Sequence, residues 1–246
     1  MLTDMMTIIR KDLKEVLTAR GTGKRGGWMS VLIFIGLLGI LMPLQTGVEW
    51  LTNPILPILW SWIPVFLVVS VVTDSFAGER ERNTLETLLA SRLTDQSILF
   101  GKIGAAVLYG WGLGMVGNLL GAVTVNVVFW QGRLMFYQPV PYLAFVFASF
   151  LVSLLMGSIG VLVSLNAPTA RAAYQKLSIV MLVVWFLPTI GITALPINIR
   201  ENIGKVLENI NLPMVGVGLL AVILIADLVL IFVARQRFKR AKLILN

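Results

Sequence analysis

Gly78–Lys102 reads GERERNTLETLLASRLTDQSILFGK, a charged stretch set directly between two long apolar runs. Glu79, Arg80, Glu81 and Arg82 follow at once on a run that ends at Ala77, and Ile103 opens the next. Charges placed so abruptly between runs long enough to cross a bilayer mark a turn at a membrane surface. Asn83 followed by Glu86 has the spacing of a capping box, which predicts a short helix with Asn83 as N-cap and Glu86 at the third helical position. Leu85, Leu88 and Leu89 form an apolar stripe at i, i+3 and i+4. Thr94-Asp95 is a second helix start, so the stretch reads as short helix, turn at Ser91–Leu93, then a new helix. The stripe admits two readings: a knob for another protein's groove, or leucines packed back on their own bundle.

The rest of the chain supports the membrane setting. Of its 246 residues, 57% are hydrophobic and 13% charged, against about 25% charged in a soluble domain. It has no cysteine and no histidine, which excludes disulfides, thiol nucleophiles, Cys/His zinc sites and histidine acid–base chemistry. A net charge of +8 suggests nucleic acid in a soluble protein. Here the basic residues sit in the N-terminal segment, one loop and the C-terminal tail, which points to membrane orientation instead. Residues 1–27 carry charge throughout and lack the apolar core of a secretory signal peptide.

A spanning helix needs about 20 apolar residues. Six runs qualify: Trp28–Gly47, Pro54–Ala77, Ile103–Trp130, Pro141–Leu165, Leu177–Leu195 and Leu212–Ala234. Pro188 interrupts the fifth, which neighbouring membrane helices can tolerate. With six spans, 17 of the 20 Lys and Arg residues fall on one side, leaving Arg133, Arg200 and Lys205 on the other. By the positive-inside rule both termini are cytoplasmic. The predicted architecture is therefore all-α integral membrane, one domain over residues 1–246.

Two further segments are predicted to be amphipathic. In residues 3–20, Met5, Ile8, Ile9, Leu13, Val16 and Leu17 recur at helical spacing, as expected of a helix lying in the membrane interface. A cap packed on other protein would show the same pattern. Gly21–Gly27 then acts as a hinge into the first span, so residues 1–27 form interfacial helix and hinge. Residues 196–211 place Ile199, Ile203, Val206, Leu207 and Ile210 among Arg200, Glu201, Lys205 and Glu208, a short helix on the outer surface.

Catalytic motifs are missing. Gly23-Lys24 is followed by Arg25, and Thr18 stands where a phosphate-binding loop has its first glycine. This chain is thus expected not to hydrolyse ATP itself, and no catalytic or metal-ligating residue is predicted. Asp227 lies in the last apolar run. An intramembrane carboxylate is a functional candidate by default, with Asn118 and Asn126 as possible partners; a packing role is the alternative. Asp74 is expected to orient the charged loop through Arg80 or Arg82. The small residues Gly110, Gly114, Gly117 and Gly121, and Ser149, Ser153 and Gly157, let helices approach closely, within the chain or across a dimer seam. Trp28, Trp50, Trp60, Trp62 and Trp130 read as interfacial anchors.

The motif E-R-E-R-N-T-L-E-T-L-L followed by Gly-Lys resembles the permease signature of the ABC-2 transporter family, through Glu79, Glu81, Thr84, Leu85, Glu86, Leu88, Leu89, Gly101 and Lys102. Asn83 stands in place of the family's common Gly, and Ser91-Arg92 where a proline-containing turn is frequent. Ile8–Glu15, I-x-R-K-D-L-K-E, is similar to the family's amphipathic connecting helix. The resemblance implies a permease of an ATP-driven exporter, paired with a second copy or paralogue and with two ATP-binding subunits. Those subunits would hold ATP and Mg; this chain would bind no cofactor. It implies that residues 78–102 form the coupling loop, with Glu79, Arg80, Glu81, Asn83, Thr84, Leu85, Glu86, Leu88 and Leu89 at the ATPase contact. Residues Asn166–Lys176 would make a smaller second contact. The setting would be the lipid bilayer of a prokaryotic plasma (inner) membrane, with no nucleic acid bound. A non-transporting six-span scaffold or assembly factor and a secondary transporter are the alternatives, and the substrate is not legible.

Overall fold

A computed structural model describes residues 1–19, 26–54, 56, 60, 62–197, 199 and 212–238. Among these the regular elements are all helical. Helix α1 (Leu2–Ala19) comes first. Then α2 (Gly26–Gly36), a π-helical turn (Leu37–Leu41) and α3 (Met42–Thr46) run on as one apolar rod, followed by the short α4 (Glu49–Thr52). Beyond these come α5 (Trp62–Glu81), α6 (Leu85–Ala90), α7 (Asp95–Val128), α8 (Pro139–Asn166), α9 (Ala170–Ala194) and α10 (Leu212–Arg237). The outer segment 196–211 and the hinge lie largely outside the described residues.

Among the described residues, four stretches are long and apolar enough to cross a membrane: Trp28–Thr46, Asp95–Val128, Pro139–Asn166 and Met214–Arg237. The second expected span, Pro54–Ala77, overlaps α5 from Trp62 on, and the fifth, Leu177–Leu195, overlaps α9; neither is among the four. Asp74, Glu79, Arg80 and Glu81 crowd the last two turns of α5 and dilute its apolar character. At 34 residues, α7 is about 51 Å long, against a hydrocarbon core of about 30 Å. It has turns to spare beyond a bilayer, and these are the turns that carry the charged loop.

Helices α5, α7 and α8 pack on one another as the centre; α1 and the α2–α3 rod lie on α7, α9 on α5, and α10 on α8. Fully buried Phe76, Val68, Val72, Ile98, Leu99 and Val161 fill the junction. The small residues of α7 serve this packing within the chain. A Cβ on Gly110 would lie 2.7 Å from the Pro64 carbonyl oxygen of α5, and one on Gly121 would lie 2.5 Å from Trp50 Nε1. That second contact corrects one expectation. Trp50 is not an interfacial anchor: it is 0% exposed, in a cluster with Leu51, Ala122, Val125 and Tyr137. The bare backbone at Gly121 leaves room for its indole. Trp28 and Trp130 are exposed, as anchors should be.

The amphipathic pattern of residues 3–20 is a helix, and its apolar face is spent on α7 rather than left free. Ile8 packs over Gly101 and Ile9 over Gly104, and Ile8, Ile9 and Val16 are buried.

Candidate functional site

The charged loop begins where α5 ends. Asn83 has φ of 55°, the left-handed conformation that closes a helix. Its N–H donates to the Arg80 carbonyl at 3.1 Å, and the next N–H, of Thr84, donates to the Glu79 carbonyl at 2.9 Å. These two bonds are the Schellman pattern. Asn83 is therefore the terminator of α5, not the N-cap of α6, and the predicted capping box is not formed. The N-cap of α6 is Thr84, whose side chain caps no N–H of that helix. Its hydroxyl turns back instead and donates to the Glu79 carboxylate. Asparagine tolerates a left-handed backbone better than most side chains, which suits it to this position.

Glu79 is the hub of a buried charge knot. Its Oε1 accepts from Lys11 Nζ of α1 at 3.0 Å and from Lys102 Nζ of α7 at 3.3 Å. Lys102, 2% exposed, also reaches Asp12 Oδ2 of α1 at 3.3 Å. Burial alone would raise the Glu79 pKa, but the Lys102 charge, the Thr84 hydroxyl and Lys11 together hold it at about 2. Arg82 pairs with Asp74 at 3.3 Å and with Glu15 of α1 at 3.3 Å. Burial works against its charge, and Asp74 and Glu15 outweigh that and raise its pKa. Asp74 thus orients the loop through Arg82, as expected, and not through Arg80. Arg80 instead donates to the carbonyls of Leu165, at 3.0 Å, and Ala167.

These contacts unite residues that are far apart in sequence. Glu79, Thr84 and Lys102 of the signature meet Lys11 and Asp12 of α1, while Gly101 provides the flat surface on which Ile8 rests. A cavity of about 440 Å³ opens beside the knot, lined by Asp12, Glu15, Asp74, Glu79, Arg82 and Lys102, with Tyr174 of α9. Carboxylate oxygens of Asp12, Glu15 and Glu79 lie within 4.8 Å of one another. The positive charge among them is already supplied by the Lys102 and Lys11 ammonium groups, so the cluster reads as an ion-pair knot rather than a metal site.

The short helix α6 rides on this base. Leu85 and Leu89 are buried in the main core and Leu88 packs against it, while Glu86, Thr87 and Ala90 face outward. Of the two readings of the leucine stripe, the structure takes the second: the leucines seat the helix on its own bundle. Its free surface is the opposite one, continued by the exposed Glu81, Arg82 and Asn83. Ser91–Leu93 turns as predicted, and Thr94 caps α7 by accepting from Ser97 N–H at 3.2 Å.

The intramembrane candidates are not joined by hydrogen bonds. Asn118 Nδ2 donates to the Gly114 carbonyl at 2.9 Å on its own helix. Asn126 pairs with the backbone of Met135, donating at 2.7 Å and accepting at 2.7 Å. Asp227 is 1% exposed, and neither of its oxygens has a partner among the described residues. Sequence reasoning missed the importance of Lys11, Asp12 and Ser164, the last a buried hydroxyl that accepts from the N–H groups of Phe76 and Ala77. The first two stood within the I-x-R-K-D-L-K-E motif, where charges alternating with apolar positions hinted at partners on one face.

No curated protein matches the chain. A family model described as ABC-2 family transporter protein matches residues 43–243. That range takes in α5, the signature loop and the apolar helices that follow. With this match over most of its length, and helices apolar enough to cross a membrane, the chain belongs to the ABC-2 family of transporter membrane proteins.

Proposed function

We propose that the chain is the permease subunit of an ATP-driven exporter, crossing the membrane six times with both ends in the cytoplasm. The helix α6 docks in a separate ATP-binding subunit, and two permeases with two such subunits make the working assembly. ATP and Mg belong to those subunits. The bilayer is a prokaryotic plasma membrane on this reading.

The observation that carries this is how α6 is held. Two turns of helix have too few hydrogen bonds to be stable alone. This one is fixed by buried Leu85 and Leu89 below, and by the Glu79–Thr84 contact at its start. It is a helix seated on its own core that leaves Glu86, Thr87 and Ala90 exposed, an arrangement suited to transmission of force from another subunit. The lysine–carboxylate knot ties its base to α1, α5 and α7 at once. A push on α6 is therefore delivered to three helices. The charge asymmetry supports a cytoplasmic setting for this end of the molecule, the side on which ATP-binding subunits would sit.

Co-purification with the ATP-binding subunit tests the reading. Ala90→Arg alters the exposed face of α6 only, so the chain should stay folded and lose its ATPase partner. Leu85→Asp should instead unseat α6 and lower stability, because it buries a charge among apolar side chains. If Ala90→Arg and Glu86→Arg together leave the ATPase bound at full stoichiometry, α6 is not the docking helix. A chain that folds well and never retains an ATPase would be the scaffold alternative.

A further inference from the structure

A second set of contacts joins the end of α5 to the α8–α9 turn. The α8 helix ends at Asn166, with Ala167 extended and Pro168 following. Carbonyls in a last helical turn have no partners within the helix, and proline cannot supply an N–H. Arg80 fills that gap from another element, donating one Nη to Leu165 O at 3.0 Å and the other to Ala167 O. A cation also suits the negative end of a helix dipole. Beside Leu165 on α8, and one turn back from Arg80 along α5, Ser164 Oγ accepts from the N–H groups of Phe76 and Ala77 at 3.1 and 3.0 Å and donates to Thr73 O at 3.0 Å. Between these two stitches Ala77, Ala167 and Ala173 pack together, all 0% exposed. Alanines leave no slack there, so the α8–α9 turn lies flush on the last turn of α5.

We propose that Arg80 is a positioning residue that yokes the α8–α9 turn to the base of α6, so that the two loops move as one body. This rests on the coupling role proposed for α6, and it changes what the 166–176 loop does. That loop is carried by α5 through Arg80, and displacement of α6 reaches α8 and α9 as well as α5 and α7. The guanidinium is needed because two carbonyls must be held at once by a planar fork.

The yoke is testable on the chain alone in lipid nanodiscs. The sequence has no native cysteine, so spin labels go cleanly onto Glu86→Cys on α6 and Arg171→Cys on α9, both exposed positions. Pulsed-EPR distances should be single and narrow. In Arg80→Gln they should broaden, since each lost charge-assisted hydrogen bond lowers the docked-to-undocked ratio about tenfold or more. Arg80→Lys should fall between the two. A control pair on Glu86 and Arg10 of α1 should stay narrow in Arg80→Gln, because the Lys102 knot is untouched. An unchanged 86–171 distribution overturns the proposal, and so does equal broadening of both pairs, which would mean general loosening. No ATP-binding subunit is needed for this arm, so its outcome stands apart from the coupling reading. In the full complex, transport-linked ATP hydrolysis per bound ATPase should drop in Arg80→Gln. An unchanged rate per bound ATPase would sink the yoke.

Discussion

At the scale of single residues, the loop depends on two side chains doing work that their spacing does not advertise. Asn83 holds the left-handed turn that stops α5. Asn83→Gly should fold as well as the parent chain. Asn83→Val should lower the thermal midpoint, since forcing a β-branched residue into this conformation costs about 1–2 kcal/mol. Equal midpoints for the two variants would refute the Schellman assignment. Glu79, beyond the apolar run ending at Ala77, has its pKa brought from 4.5 down to about 2. A depressed carboxylate pKa adds stability that is complete above pH 4.5 and is lost as pH falls from there toward 2. Acid unfolding followed by tryptophan fluorescence should show this loss, and Glu79→Gln should flatten the slope in that window. An unaltered slope would remove Glu79 from the centre of the knot.

The residue scale also shows what was legible. Asn83, Thr84 and Glu86 look like a capping box because caps and helix terminators draw on the same small polar residues. The left-handed backbone of Asn83 and the turn of the Thr84 hydroxyl toward Glu79 decide between them. The link between Asp74 and Arg82 was readable because both lie within α5 and its exit. The Arg80 contacts were not, since their acceptors lie 85 and 87 residues away.

At the scale of elements, the glycines of α7 set how closely helices approach. Gly110 faces α5, where a Cβ would stand 2.7 Å from Pro64 O and 2.8 Å from Val68 N. Gly112 on the same helix has nothing within 4 Å of such a Cβ. Gly110→Ala should therefore lower the thermal midpoint in detergent by an overpacking cost of about 1–3 kcal/mol, while Gly112→Ala should leave it in place. Matching midpoints would mean that α5 and α7 do not pack as described. The same reasoning accounts for α1. Its amphipathic pattern announced a helix with one apolar face, and the pattern is silent on what covers that face. Gly101 and Gly104 answer it, because flat positions on α7 admit Ile8 and Ile9.

At the scale of the whole molecule, orientation is the quantity to test. Under the six-span reading, Arg133→Cys lies outside and Glu86→Cys inside. A membrane-impermeant maleimide applied to intact cells should label the first at once and the second only after permeabilisation. Labelling of Glu86→Cys in intact cells would reverse the topology and remove the coupling proposal with it.

The sequence by itself determined the apolar helices, the charged turn between them, and the placement of positive charge, because hydropathy, helix starts and charge bias are local or additive along the chain. The tertiary structure alone decided which face of α6 is free, that Trp50 is core, and that Glu79, Lys102, Asp12 and Lys11 form one knot. Those outcomes depend on which side chains from distant segments share a buried volume. There, a charge is stable only beside its opposite and a helix approaches only where a side chain is missing.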